Sequence, residues 1–150
     1  MVKKGTVIII TKWLIEFMFF AGIVITLTLP ASIKWLGNYV TYFAEHYAEM
    51  VLIYFMLGIL AVLIIGELRK MLRTVKADDC FVYENVVSLQ RMGTYSFVIA
   101  LVALIRSIVY VTPAMLIIIL VFVIAGLFSK VLSFVFDRAV QYKVENDLTI

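Results

Sequence analysis

The chain has 150 residues, of which 65% are apolar and 15% charged, where an ordinary soluble domain has roughly 25% charged. With a mean hydropathy of +1.10, that balance excludes a disordered chain, argues against a soluble globular one and leaves room for a single domain. The net charge of +3 would suggest nucleic acid in a soluble protein. Here the cations sort by topology instead, and no direct nucleic-acid contact is expected. A single cysteine, Cys80, excludes an internal disulfide, and a single histidine, His46, makes any Ser-His-Asp arrangement depend on one imidazole.

A bilayer core of about 30 Å needs roughly 20 apolar residues per helix, and four such runs are present. The first, at about 7–29, is cleanest from Phe17 to Leu29 and is expected to stop at Pro30. Lys3 and Lys4 precede it, but its length and its interruption by Lys12 and Glu16 read as a retained helix and not as a cleaved signal. The stretch from Pro30 to Glu49 is expected along the outer surface, with Trp35, Tyr39, Tyr42, Phe43 and Tyr47 at headgroup level. His46 in this stretch reads as a solvated or headgroup-facing ring. The alternative is a metal site with Glu45 and Glu49, which are four residues apart.

The second run, at about 50–66, holds no charge. Residues 67–76 continue it, with Arg69, Arg73 and Lys76 on one face and Leu68, Met71, Leu72 and Val75 on another. That face is either a set of snorkelling cations on anionic headgroups or a docking face for an acidic partner. Asp78 or Asp79 is placed to cap the next helix. Its apolar positions are Val82, Val86 and Leu89, while Glu84, Asn85, Ser88 and Arg91 lie elsewhere on the wheel. It covers the inner end of the bundle or forms a partner site, and it leads into the third run at about 92–111. Arg106, near the outer end of that run, is expected to snorkel. Cys80 reads as an inert, reduced thiol.

The fourth run, at about 113–129, opens at Pro113, where the first helical turn needs no N–H. The few residues before it impose an antiparallel hairpin. In the tail, 130–150, Leu132, Val135, Phe136, Ala139 and Tyr142 form a stripe opposite Lys130, Ser133, Asp137, Gln141 and Glu145. The fourth helix is therefore expected to continue for several turns and to end near Asn146 and Asp147. Ala125 and Ser129 have the spacing of a helix-packing pair.

These runs predict an all-α polytopic membrane protein, a four-transmembrane-helix bundle with cytoplasmic helical extensions, because backbone groups must be satisfied within the lipid. The N-terminus, the 67–91 loop and the tail together hold eleven of the 13 cations. The positive-inside rule then places both termini in the cytoplasm, and the expected location is the plasma membrane. Glu16 is the only acid inside a run. Lys12, four residues earlier on the same face, is its expected partner. The two form an interfacial ion pair or, if Glu16 lies deeper, a proton- or cation-coupled site.

Residues 136–150, FDRAVQYKVENDLTI, resemble the closing signature of the YoaS-like group of small bacterial four-helix membrane proteins of unknown function. Residues 81–93, FVYENVVSLQRMG, resemble that group's helix before span three. The resemblance covers nearly the whole chain and departs from the group's pattern at Cys80, where a proline is expected. It implies a membrane partner for a small helix-turn-helix regulator, and it carries over no catalytic residues.

The leading expectation is therefore a non-catalytic regulatory protein without a cofactor. Its candidate partner-binding residues are Glu84, Asn85, Tyr142, Glu145, Asn146 and Asp147. A second copy of the chain is a further expected partner beside the bilayer. The alternative is a small oligomeric transporter or channel coupled through Glu16.

Overall fold

Long apolar runs without alternation form helices, and the described residues of the computed structural model contain six: α1 (Lys4–Leu27), α2 (Leu29–Leu36), α3 (Thr41–Glu45), α4 (Tyr47–Lys76), α5 (Tyr83–Val109) and α6 (Pro113–Leu148). It describes residues 4–77, 79–109 and 111–148, without the side chains of Lys4, Tyr42 and Phe43. The expected cap Asp78 and the terminal Thr149 and Ile150 lie outside the described residues.

Helices α1, α4, α5 and α6 are long and apolar enough to cross a membrane. At 1.5 Å per residue, α4 is about 45 Å long and α6 about 54 Å, against an apolar core of about 30 Å. Both therefore run on past their apolar segments, as expected for residues 67–76 and 130–148. The four helices alternate in direction, so α1 begins and α6 ends at one end of the array, beside the 77–82 loop. We call this the basic end. The opposite end carries α2, α3 and the α5–α6 connection.

Pro30 does not stop the first helix. The break comes at Thr28, and Pro30 sits in the first turn of α2, where its missing N–H costs nothing. The Thr28 hydroxyl closes α1 by donating to the Val24 and Ile25 carbonyls at 2.9 and 3.1 Å. The Tyr47 hydroxyl donates to the Pro30 carbonyl at 3.1 Å and ties α2 to the start of α4.

Packing follows chain order. Helix α1 lies on α4, α4 on α5 and α5 on α6, and the bundle is open between α1 and α6. Helix α5 is the axis. Its buried positions include Ser88, Gly93, Ser96, Ala100, Ala103 and Ser107, small side chains that let neighbouring backbones approach. Facing them on α6 are Gly126, Ser129 and Ser133. Ser129 donates to the Leu89 carbonyl at 2.6 Å, across the seam. Lys130 reaches over the same seam to the Gln90 carbonyl at 3.1 Å and to Thr94 Oγ1 at 3.0 Å. In the tail, the small and polar face thus turns inward, while Phe134, Val135 and Tyr142 stay exposed.

Arg106 differs from its expected snorkelling position. It is only 4% exposed, and its Nη2 donates to the thioether of buried Met50 at 3.2 Å. The physical reason is that α4 begins at Tyr47, so its first turn covers this end of α5 and confines the guanidinium between helices.

Helix α1 meets α4 along a seam of small residues, with Gly22 against Val62 and Gly58 against Thr26. A Cβ at Gly58 would fall 2.6 Å from Thr26 Oγ1. That hydroxyl is held by its hydrogen bond to the Gly22 carbonyl at 2.7 Å and cannot swing aside freely. Gly58→Ala is expected to destabilise the fold by about 1–3 kcal/mol, and Thr26→Ala in the same chain should recover most of the loss. Thermal unfolding of the four proteins in detergent checks this.

Candidate functional site: the charged end of the array

Toward the basic end, the uncharged stretches of α1 and α4 both give way to ionisable residues, at Glu16 and from Glu67 onward. Arg69, about one turn beyond Gly66, donates from Nε to Glu16 Oε1 at 2.9 Å. Its guanidinium also lies 4.3 Å from the centre of the Phe19 ring, a cation–π contact that orients it. Glu16 therefore pairs across helices with Arg69, and the expected pairing with Lys12 is corrected. Antiparallel packing brings α4 cations to the carboxylate, whereas pairing within α1 would bring in only one flexible lysine.

Lys12 instead joins Arg73 and Lys76 around a cleft of about 480 Å³ between α1 and α4, floored by Ile15 and Leu72. Lys76 lies well past the uncharged run 50–66. Its pKa is lowered by the neighbouring Lys12, through side-chain hydrogen bonding first and charge repulsion second, with a smaller contribution from desolvation.

A second group ties α4 to α5. Glu67 is 5% exposed. Its Oε1 lies 3.5 Å from Lys70 Nζ and 3.6 Å from Arg91 Nη1. Its Oε2 is buried without a hydrogen-bond partner among the described residues. Sequence reasoning passed over this residue. The available signal was its position, an acid directly after an uncharged run and opposite the basic start of the third span.

Asn85 is not a partner-facing residue, which corrects the sequence expectation. It is 2% exposed, and its Nδ2 donates to Thr74 Oγ1 at 2.7 Å and to the Cys80 carbonyl at 2.6 Å. It pins the α4–α5 loop to both flanking helices. The helical wheel could not reveal this, because the loop folds back over the first turn of α5 and buries a polar position. Ser88 is buried too, while Glu84 remains exposed. Asp79 does not cap α5, which begins at Tyr83. Its carboxylate accepts from Lys143 Nζ of α6, clasping the loop to the tail. That hydrogen bond is the main cause raising the Lys143 pKa, with burial opposing it. Phe81 packs edge-on against Phe136, ring centres 5.4 Å apart, and adds an apolar contact to the clasp.

Beyond the clasp, every residue from Gln141 to Leu148 is exposed, which includes Tyr142, Glu145, Asn146 and Asp147. At the opposite end, Glu45, His46 and Glu49 do not assemble, since no three His, Cys, Asp or Glu side chains come together as metal ligands among the described residues.

Asn85→Leu would leave the Cys80 carbonyl without its buried donor. It is expected to cost about 1–3 kcal/mol and to speed amide exchange selectively in 77–82, as read by hydrogen–deuterium exchange. In a double-mutant cycle, Glu16→Gln with Arg69→Gln should return a coupling of about 1 kcal/mol, because the pair is only partly shielded from solvent.

Neither a curated protein nor a solved structure matches the chain. A family model described as protein of unknown function (DUF2975) matches residues 6–150. An all-α chain with four membrane-length helices, matched over nearly its whole length, belongs to that family.

Proposed function

We propose that this protein is a membrane-anchored regulatory protein that holds a soluble, basic partner at the end of α6. The observation that carries this reading is the chemistry of the last turns of α6. On either side of the clasp lysine Lys143 they present Tyr142, Val144 and Leu148 at 62%, 50% and 80% exposed, next to Glu145 and Asp147. Acidic residues at a helix C-terminus oppose the helix dipole, and exposed apolar residues beyond the bilayer gain nothing from lipid. Apart from the attraction of Asp147 to Lys143, neither feature stabilises the helix, and both suit a partner with a basic, partly apolar face.

A small DNA-binding regulator has such a face, and capture by an acidic helix would compete with DNA for it. This agrees with the narrower resemblance to the YoaS-like group. The eleven-to-two sorting of cations supports cytoplasmic termini and a plasma-membrane location, where the tail would meet such a regulator. On this reading the protein is not an enzyme and needs no cofactor.

The transporter alternative has less support. Its coupling residue, Glu16, is engaged by Arg69, and an array open between α1 and α6 encloses no path unless several copies assemble.

Photoreactive residues at Tyr142 and Val144, in cells, are expected to capture one basic soluble protein. Glu145→Lys with Asp147→Lys should abolish capture while membrane insertion is unchanged. Capture that survives the charge reversal, or no capture at either position, overturns the reading.

A further inference from the structure

The cleft between α1 and α4 has a surplus of positive charge that its own residues do not neutralise. Four cations and one carboxylate line it. The carboxylate, Glu16, is taken up by Arg69, so Lys12, Arg73 and Lys76 have no carboxylate partner among the described residues. Lys12 and Lys76 are close enough to repel each other. Like charges facing each other across two packed helices favour an anion between them. Arg69 itself uses only Nε on Glu16, and its terminal nitrogens carry four further N–H donors.

The level of the cleft narrows the choice of anion. The Glu16–Arg69 pair lies where the uncharged stretches of the two helices, Phe17–Leu27 and 50–66, end, which sets the cations beyond it at the depth expected for lipid headgroups. From Lys12 and Glu16, which line both features, an apolar groove of about 840 Å³ runs along α1 past Phe17, Ala21 and Val24. Ala21 leaves the gap, and the exposed rings of Trp13, Phe17 and Phe20 wall it. A cationic cleft opening directly into an apolar groove has the two-part chemistry of a phospholipid.

We propose that this site binds one anionic phospholipid, its phosphate between Lys12, Arg73 and Lys76 and an acyl chain along the groove of α1. The bound lipid neutralises the facing lysines and closes the α1–α4 seam at the basic end. The site is separate from the α6 tail, so it stands or falls independently of any soluble partner.

Trp13 is the reporter, since the other tryptophan, Trp35, is at the opposite end and can be replaced as Trp35→Phe. The full chain in phosphatidylcholine nanodiscs is titrated with brominated phosphatidylglycerol, which quenches Trp13 when it occupies the groove. Preferential association over brominated phosphatidylcholine is expected. The preference should fall roughly fivefold for each of Lys12→Gln, Arg73→Gln and Lys76→Gln, about a hundredfold together. Arg138→Gln, at the same end but on α6, should leave it nearly unchanged. If the triple variant fails to fold, Ala21→Leu provides the test, because it fills the groove and should weaken lipid association without touching a charge. Equal association of the two lipids overturns the proposal, as does a loss with Arg138→Gln as large as with the cleft variants. Displacement of the brominated lipid by inorganic phosphate, with Ala21→Leu without effect, would assign the cleft to a free phosphate compound and overturn the lipid assignment.

Discussion

The small-residue seam of α5 is the constraint on which the rest of the molecule depends. Within a membrane, apolar side chains gain little by leaving lipid for protein, so helices associate through close backbone approach and a few interhelical hydrogen bonds. Ser88, Gly93, Ser96, Ala100 and Ala103 provide the approach, and the Ser129 bond to the Leu89 carbonyl provides the directed contact. With α6 locked to one side and α4 to the other, most large apolar side chains are left on the outside of the array, where helices long enough to cross a membrane would meet lipid. Among the long helices, α1 is then held by α4 alone along one stripe, which makes it the edge of the array and leaves its outer face available.

Antiparallel packing also determines how the charges meet. Each long helix carries a different complement of ionisable residues beside its apolar stretch, and the seams bring many of these together in pairs. Glu16 receives Arg69, Glu67 receives Arg91 and Lys70, and Asp79 receives Lys143. Apart from Glu67–Lys70, which lies within α4, each pair joins one helix or loop to its neighbour in the array, so the basic end is fastened by ion pairs. Of the cations left over, Lys12, Arg73 and Lys76 gather on the α1–α4 side, and of the remaining acids Glu145 and Asp147 lie with exposed apolar residues at the end of α6. The proposed lipid site and the proposed partner site are thus the two unneutralised remainders of one arrangement, at opposite edges of the same end.

Much of this was legible in the residues. Four apolar runs of membrane length, a proline at the start of the last helix and the continuation of α4 and α6 into polar segments follow from composition and period. The errors share a cause. Asn85, Lys12 and Arg106 were read from their own helices, by wheel position or by the nearest charge in sequence. Their surroundings are set by other elements: the folded-back loop for Asn85, the α4 cations for Glu16 and hence Lys12, and the first turn of α4 for Arg106. Glu67 was passed over for the same reason, since only the approach of Arg91 from α5 gives its carboxylate a setting.

The sequence by itself determined that this chain is helical, that four helices are long and apolar enough to span a membrane, and where charge accumulates along the chain. These properties depend on local composition and on the need to satisfy the backbone within each segment. Tertiary structure alone decided which helices touch, which face of each is buried and which charges neutralise one another. Those outcomes depend on the register between helices, which small residues at distant positions set through close packing and which no single helix encodes.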